Sequence, residues 1–321
     1  MIDYTPPAAA TSIPLIDLAD SGSDEIEKRR AVAVEIHKAC RDTGFFYVAN
    51  HGVPLAMMEA QLDSARRFFS MPAEQKREVA STSASGILGY EGLHTQTLDP
   101  GSPADLKESF MTEIEPKAPP SYYHSRNLWP SDLPGFKQQA LAYSEQIVGL
   151  GRRIASSLAL SLDLPEAYFE EALEKPACSV RLLRYPPHPE NAAPNQLGSG
   201  AHTDWGLITI LLQDDRGGLE IRNADGVWIR ANPIPGAFVI NLGDMIPRLT
   251  NELYHSNMHR VLNNVSGMDR YSVASFFNPP EDYLVKCVPT CMPKEGEPKY
   301  PPCTVGEHTQ EMIIKTYGKA A

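Results

Sequence analysis

The chain has 321 residues, which is long enough for a large core arranged in one or two domains. Its 22 glycines and 28 prolines favour many turns and short strands over a helical bundle. The net charge of -11 argues against a nucleic-acid ligand, because phosphate binding requires clustered lysine and arginine. No early apolar run is as long as a signal peptide or a membrane span, so we expect a cytoplasmic protein with no membrane partner.

The first part of the chain predicts strands and helices in alternation. Residues 13–18 predict a short strand, and a helix over residues 24–42 is expected to stop at Gly44, since glycine commonly ends a helix. Residues 44–54 predict a second strand with a closing turn. Over residues 54–69 apolar side chains recur at steps of three and four, which indicates an amphipathic helix that opens with a proline.

The middle of the chain predicts a long loop followed by a long helix. Residues 81–120 are rich in glycine and proline, and we interpret them as a loop through which a substrate reaches its site. Residues 136–162 repeat the helical spacing and predict one helix that packs along a sheet.

The second half predicts mainly strands. Short apolar segments separated by turns are typical of a sandwich or a barrel. These segments are residues 180–185, 207–212, 219–221, 238–241 and 271–276. A final helix is expected over residues 304–317.

The five cysteines are an odd number, and most of them are far apart. Cys287, Cys291 and Cys303 have the outline of a zinc knuckle, but four prolines interrupt it, and only His308 is a candidate for a nearby fourth ligand. We therefore interpret the cysteines as reduced, structural thiols.

A candidate metal site begins at His202-Thr203-Asp204, directly before a β-branched apolar run. If this stretch is a strand, His202 and Asp204 point to the same face, because strand residues two apart share a face. Two histidines with one carboxylate are the usual ligands of non-haem Fe(II) oxygenases, and they leave one side of the metal open. Taken alone, the pattern also fits a histidine at a strand edge and an aspartate in a turn.

The third ligand has two candidates among the nine histidines. His259 opens another β-like run, where the metal-binding face of a sandwich would lie. His255 is its rival, because histidines four apart share one face of a helix. We prefer His259.

Arg270-Tyr271-Ser272 places a guanidinium and a hydroxyl on one face of the next predicted strand. Arginine grips a carboxylate with two hydrogen bonds, and serine adds one more. Eleven residues after a candidate ligand histidine, this pair is suited to anchor a carboxylate co-substrate.

Taken together, the motifs resemble those of the iron- and 2-oxoglutarate-dependent dioxygenases of the isopenicillin N synthase-like family. The resemblance covers nearly the whole chain and keeps the order of the motifs. The motifs are Ile13-Pro14-Leu15-Ile16-Asp17, Gly44-Phe45-Phe46, Asn50-His51-Gly52-Val53-Pro54, Asp105-Leu106-Lys107-Glu108, Tyr185-Pro186, His202-Thr203-Asp204, Asn241-Leu242-Gly243-Asp244, His259-Arg260-Val261 and Arg270-Tyr271-Ser272.

The resemblance implies an α+β fold with a double-stranded β-helix (jelly-roll) core flanked by helices. An N-terminal region, residues 1–130, would pack on a catalytic core, residues 131–321, in one compact unit. Fe(II) would be held by His202, Asp204 and His259. Arg270 and Ser272 would hold the distal carboxylate of 2-oxoglutarate, with help from Tyr185.

The implied reaction consumes dioxygen and 2-oxoglutarate, releases succinate and CO2, and hydroxylates or desaturates a small organic molecule. One alternative is a 2-oxoglutarate-independent oxidase of the same family, similar to isopenicillin N synthase or to aminocyclopropane-carboxylate oxidase, which keep the same Arg-x-Ser. Ethylene-forming relatives, another alternative, consume 2-oxoglutarate itself. A zinc hydrolase could use the same ligands. A non-catalytic jelly-roll binding protein is disfavoured, because polar ligands are costly to keep in an apolar pocket without a metal.

The strand before the metal motif indicates substrate contacts. Side chains alternate, so Arg181, Leu183 and Tyr185 share a face and Arg184 points away. Many plant members of the family carry asparagine where Leu183 stands. By the same alternation, Phe276 lies on the face of Arg270 and Ser272. We expect Arg181 and Phe276 to contact the substrate, the substrate to carry an acidic group, and the protein to be a monomer.

Overall fold

A computed structural model describes residues 2–6, 9–82, 87–99, 101–114, 126–190 and 192–317. Within these ranges the strands are short and the helices flank them. The strands are β1 (Leu15–Asp17), β2 (Phe45–Ala49), β3 (Gly89–Glu91), β4 (Glu108–Glu113), β5 (Ala177–Tyr185), β6 (Ser199–His202), β7 (Ile208–Gln213), β8 (Leu219–Arg222), β9 (Trp228–Arg230), β10 (Phe238–Leu242), β11 (His259–Val261), β12 (Arg270–Asn278), β13 (Leu284–Val285) and β14 (Cys303–Thr304).

The helices lie mainly at the two ends and in the middle of the chain. They are α1 (Ile26–Asp42), α2 (Leu55–Phe69), α3 (Ala73–Glu78), α4 (Phe136–Ser161), α5 (Met245–Thr250) and α6 (Val305–Tyr317), with short 3₁₀ helices at Ala19–Gly22 and Pro289–Cys291. No helix in the described ranges has the length and apolar character needed to cross a bilayer. All five cysteines are unpaired thiols, in agreement with the sequence.

Two sheets form the centre of the molecule. The larger has eight strands in the order β1-β2-β10-β7-β12-β5-β4-β3, and the smaller has four in the order β6-β11-β8-β9. Apart from the parallel β1–β2 pair, the neighbouring strands in both sheets are antiparallel. This is the predicted α+β arrangement with a jelly-roll core. Strands β1 to β4 belong to the larger sheet, so the N-terminal region is continuous with the core.

The two faces of the larger sheet are buried in different ways. Along β7, Ile208, Ile210 and Leu212 pack in the core that also contains the apolar faces of α1, α2 and α4. The intervening Thr209 and Leu211 point the other way, into a cavity between the sheets. The strict alternation of a strand therefore separates the helix-facing core from the site-facing side chains.

The helices and the strands of the second half lie close to the predicted bounds, but two predictions were wrong. The supposed loop 81–120 contains β3 and β4 within its described part. Strand β4 is buried throughout although it carries Glu108 and Glu113. Glu108 is neutralised by Lys76 and Arg184, a tertiary ion-pair arrangement that the strand's own sequence does not reveal.

The second wrong prediction concerns His202 and Asp204, which do not lie on one strand. Strand β6 ends at His202, and Asp204 lies in the connection to β7. The apolar run that suggested a strand begins only at Ile208. The two side chains meet because the connection between β6 and β7 folds back.

Gly151 provides a test of how α4 packs on the sheet. A methyl group added there would lie 2.7–2.8 Å from ring atoms of Phe277, which is fully buried on β12. We expect Gly151→Ala to lower the free energy of unfolding by about 1–2 kcal/mol, because overpacking outweighs the better helix propensity of alanine.

Gly149 is the matched control on the same helix, since nothing lies within 4 Å of its added methyl group. Gly149→Ala should raise the free energy of unfolding by up to about 1 kcal/mol. Urea denaturation of both variants measures the difference. Equal stabilisation by the two alanines would contradict the close contact between α4 and Phe277.

Candidate active site

A cavity between the two sheets contains the residues that the sequence singled out. The larger sheet contributes Thr209, Asn241 and Arg270 to its wall, and the smaller sheet contributes His202 and His259. The site therefore exists only where the two sheets face each other.

His202, Asp204 and His259 come together at one end of this cavity. His202 is the last residue of β6 and lies opposite His259, the first residue of β11. The Nε2 atom of each histidine is 3.8 Å from Asp204 Oδ1, and one ligand atom from each of the three residues lies within 4.8 Å of the others. In the described part of the chain, no other group of three or more such side chains has the spacing of a metal site.

The protonation states of these groups suit a divalent cation. His202 Nδ1 lies 2.7 Å from the carbonyl oxygen of Gly200, to which it donates as Nδ1–H, so that Nε2 presents its lone pair to the centre. Burial, together with the neighbouring His259, lowers the pKa of His202 to about 3. At neutral pH this imidazole is therefore uncharged and able to bind a metal.

The carboxylate of Asp204 is oriented by the larger sheet. Thr209 Oγ1 and Asn241 Nδ2 donate to Oδ2 at 2.6 and 2.7 Å, which leaves Oδ1 for the two histidines. Burial acts to raise the pKa of Asp204, but the two imidazoles and these hydrogen bonds outweigh it, and the pKa is lowered. Asp204 thus remains ionised and offers one oxygen in a defined direction.

The connection that carries Asp204 is held by backbone hydrogen bonds, which a close approach of two glycines permits. The backbone of Asp244 donates to the Asp204 carbonyl at 2.8 Å, and the backbone of Met245 donates to the Gly206 carbonyl at 3.1 Å. A Cβ on Gly243 would lie 2.1 Å from the Gly206 oxygen, so only glycine permits this approach. The Asn241-Leu242-Gly243-Asp244 motif therefore supports the metal-site geometry.

The opposite part of the cavity holds Arg270 and Ser272 of β12. Arg270 is 2% exposed, and its guanidinium carbon lies 4.6 Å from the centre of the Tyr185 ring. Within the described ranges its hydrogen-bond acceptors are uncharged: the Gly217 carbonyl, Gln213 Oε1 at 3.1 Å and Ser272 Oγ at 3.5 Å. A buried guanidinium without a paired carboxylate is a site prepared for an anion.

The strand-face predictions agree with the structure. Arg181, Leu183 and Tyr185 line the cavity, whereas Arg184 lies on the other face and pairs with Glu108 and Asp269. Phe276 also lines the cavity, along with Arg270 and Ser272. Arg181 is not a free charge, however, because its Nη2 donates to the Glu91 carboxylate.

His255, the rival ligand, lies outside the cluster. It is exposed, it follows α5 in a segment outside any helix, and it borders a separate surface pocket with Asp244 and Arg248. The i,i+4 argument fails because residues 251–258 are not helical.

The sequence did not predict a role for several side chains at the site. Thr209 and Asn241 orient Asp204, Gln213 contacts Arg270, and Lys107 lines the cavity. The alternation of polar and apolar residues along β7 could have indicated Thr209 and Gln213. Lys107 lies in a segment that the sequence predicts as a loop, so its position could not be derived from the sequence.

Comparisons with known proteins agree with this geometry. The family described as "non-haem dioxygenase in morphine synthesis N-terminal" matches residues 13–132, and the 2OG-Fe(II) oxygenase superfamily matches residues 176–279. A 2-oxoglutarate-Fe(II) type oxidoreductase of Emericella nidulans is 35% identical over 97% of this chain and 92% of its own length. A 2-oxoglutarate-dependent dioxygenase of Monascus ruber is 35% identical, over 95% of each chain.

Solved structures show the same relationship. A full-length Neurospora crassa protein, in complex with alpha-KG and thymine, superposes with a TM-score of 0.86 at 28% identity, over 94% of this chain and 97% of that one. JOX2, in complex with 2OG, Fe and JA, superposes with a TM-score of 0.80 at 34% identity, over 98% of this chain and 88% of that one.

The chain belongs to the 2-oxoglutarate- and Fe(II)-dependent oxygenases of the isopenicillin N synthase-like family. It is a non-haem iron dioxygenase that uses Fe(II), 2-oxoglutarate and dioxygen to oxidise a small organic molecule. The 2-oxoglutarate-dependent interpretation is thereby favoured over the alternatives that the sequence left open.

Thr209 allows a test of the carboxylate orientation. Thr209→Val keeps the side-chain shape but removes the donor to Asp204 Oδ2, so we expect the affinity for Fe(II) or Co(II) to fall about tenfold. Thr112→Val is the control, because Thr112 is a similarly buried strand threonine whose hydroxyl, among the described residues, donates to the Val180 carbonyl and not to a metal-site residue. Anaerobic metal titration measures both, and an unchanged dissociation constant in Thr209→Val would contradict the orienting role.

Proposed function

We propose that His202, Asp204 and His259 are the protein ligands of Fe(II) in this enzyme. Two imidazole nitrogens, that of His202 uncharged, and one ionised carboxylate oxygen converge on one space, and this is the donor set that non-haem Fe(II) oxygenases use. This convergence is the observation that carries the proposal. When bound, the metal supplies the redox chemistry that couples oxidative decarboxylation of 2-oxoglutarate to oxidation of the substrate.

Arg270 and Ser272, assisted by Tyr185, are proposed to hold the distal carboxylate of 2-oxoglutarate. Arg270 is buried, and its hydrogen-bond acceptors among the described residues are all neutral, so an incoming carboxylate would give it a charged partner. Asp214 is near, but its two oxygens accept backbone N–H groups of Tyr271 and Arg216. The ring of Tyr185 lies over the guanidinium.

The substrate is proposed to lie on the side of the cavity formed by Arg181 and Phe276. Solved relatives hold small molecules, thymine in the Neurospora crassa protein and JA in JOX2, together with the 2-oxoglutarate co-substrate. The expectation of an acidic group on the substrate rested on Arg181 meeting an anion of the substrate, and the ion pair between Arg181 and Glu91 removes that premise. We further propose a monomer in which residues 1–130 help to close the cavity.

The ligand assignment is tested by replacing each of His202, Asp204 and His259 with alanine. Each change removes one of three donors, so we expect the bound iron to fall to near zero after gel filtration. His255→Ala is the matched control and should retain one iron per chain. Loss of iron from His255→Ala with retention in His259→Ala would reverse the assignment.

The anion site is tested by Arg270→Gln. Removing one partner of a buried charge-assisted pair costs about 3–5 kcal/mol, so the affinity for 2-oxoglutarate should fall more than a hundredfold. Anaerobic titration of the iron-loaded protein with 2-oxoglutarate measures this fall. Arg184→Gln, on the far face of the sheet, should bind 2-oxoglutarate like the wild type, and a normal dissociation constant in Arg270→Gln would contradict the proposal.

A further inference from the structure

A second group of charged side chains lies along the cavity wall, away from Arg270. Lys107 directly precedes β4, and its ammonium donates to Asp105 and, at 3.1 Å, to Ser199 Oγ. Arg181 of β5 donates to Glu91 and, at 2.8 Å, to Ser109 Oγ. Lys107, Arg181 and Ser199 all border the cavity that contains His202.

The charges in this group balance. Two cations, Lys107 and Arg181, face two carboxylates, Asp105 and Glu91, and each cation has its own partner. Asp105 is further held by the backbone N–H of Gly200 at 2.9 Å, so it cannot turn away from Lys107 without losing that bond. An acidic substrate beside this wall would add a buried negative charge where both described cations already have a carboxylate partner, which is unfavourable.

Among the described residues, the same wall has hydrogen-bond donors for which no acceptor is found. An ammonium has three N–H groups, and in the described part of the chain two acceptors are found for Lys107. Ser199 Oγ accepts from Lys107, which leaves its own O–H to donate. Lys107 is 5% exposed and Ser199 is 4% exposed, so a donor left without an acceptor there is costly.

We propose that Lys107 and Ser199 together bind an oxygen acceptor of an uncharged substrate and so orient the substrate beside the metal ligands. The proposal rests on the function proposed above and specifies the class of substrate. The cavity is also lined by the apolar side chains of Phe45, Leu98 and Phe276, which would pack against the hydrocarbon body of the substrate. The expected substrate is therefore a small uncharged molecule with an apolar body and a carbonyl oxygen.

The ionisation of Lys107 is compatible with this role. Burial lowers the pKa of Lys107 to about 8, and the adjacent Asp105 opposes that effect. At neutral pH the side chain is therefore still mainly an ammonium and a hydrogen-bond donor.

The test uses the 321-residue protein loaded with Fe(II) and 2-oxoglutarate under anaerobic conditions. Three uncharged probes, thymine, benzamide and cyclohexanecarboxamide, are compared with benzoate and cyclohexanecarboxylate by titration calorimetry. The variants are Lys107→Met and Ser199→Ala, and Arg184→Met is the control because it removes a cation that faces away from the cavity. Metal and 2-oxoglutarate affinities are measured first for every protein.

We expect at least one uncharged probe to bind the wild type, and each amide to bind more tightly than its paired carboxylate. The dissociation constant of the bound probe should rise about tenfold or more in Lys107→Met and about threefold or more in Ser199→Ala. Arg184→Met should bind like the wild type, and all variants should keep their affinity for Fe(II) and 2-oxoglutarate.

Three results would overturn the proposal: tighter binding of the carboxylates, no binding of any uncharged probe, or unchanged amide binding in both Lys107→Met and Ser199→Ala. A wild-type protein that fails to bind 2-oxoglutarate would contradict the proposed function, and this proposal with it. If a variant loses probe binding but still binds 2-oxoglutarate, the replaced side chain contacts the substrate and the variant has no general structural defect.

Discussion

The direction of one carboxylate oxygen, Asp204 Oδ1, depends on contacts from both sheets. The smaller sheet supplies His202 and His259, which lie opposite each other on β6 and β11. The larger sheet supplies Thr209 and Asn241, which occupy the other oxygen of Asp204. The three proposed ligand atoms converge only when the sheets keep their spacing, so the packing that stabilises the fold also assembles the proposed metal site.

The two arginines that line the cavity differ in whether they have a charged partner. Arg270 is buried with uncharged acceptors and is suited to a carboxylate co-substrate. Arg181 is paired with Glu91, and its neighbour Lys107 is paired with Asp105. The part of the cavity around Arg270 thus has an unmatched positive charge, and the part around Arg181 and Lys107 has none. This difference in charge lets the cavity place an anionic ligand in one part and an uncharged ligand in the other.

The sequence predicted the elements whose signals are local. The spacing along α2 and α4 gave these helices within one or two residues, and alternation along β5 and β12 gave the correct cavity faces for Arg181 and Phe276. The ordered motifs gave the family and the cofactors. These features depend on residues close together in the chain or on short motifs, and both can be recognised in a single sequence.

The wrong predictions concern features that depend on distant contacts. Strand β4 is buried with its glutamates because Lys76 and Arg184 neutralise Glu108 from two other elements. Asp204 faces His202 because the connection between β6 and β7 folds back where Gly206 packs against Gly243. The two residues do not share a strand. The pairing of Arg181 with Glu91 likewise joins residues 90 positions apart. None of these contacts is encoded in a periodic pattern.

The proposed metal centre is tested most directly by the X-ray absorption spectrum of the Fe(II)-loaded protein, recorded anaerobically with and without 2-oxoglutarate. We expect two imidazole ligands and otherwise oxygen ligands in both states, with the same imidazole count in His255→Ala. A third imidazole, a sulfur ligand, or a loss of one imidazole in His255→Ala would contradict the assignment of His202, Asp204 and His259 as the metal centre.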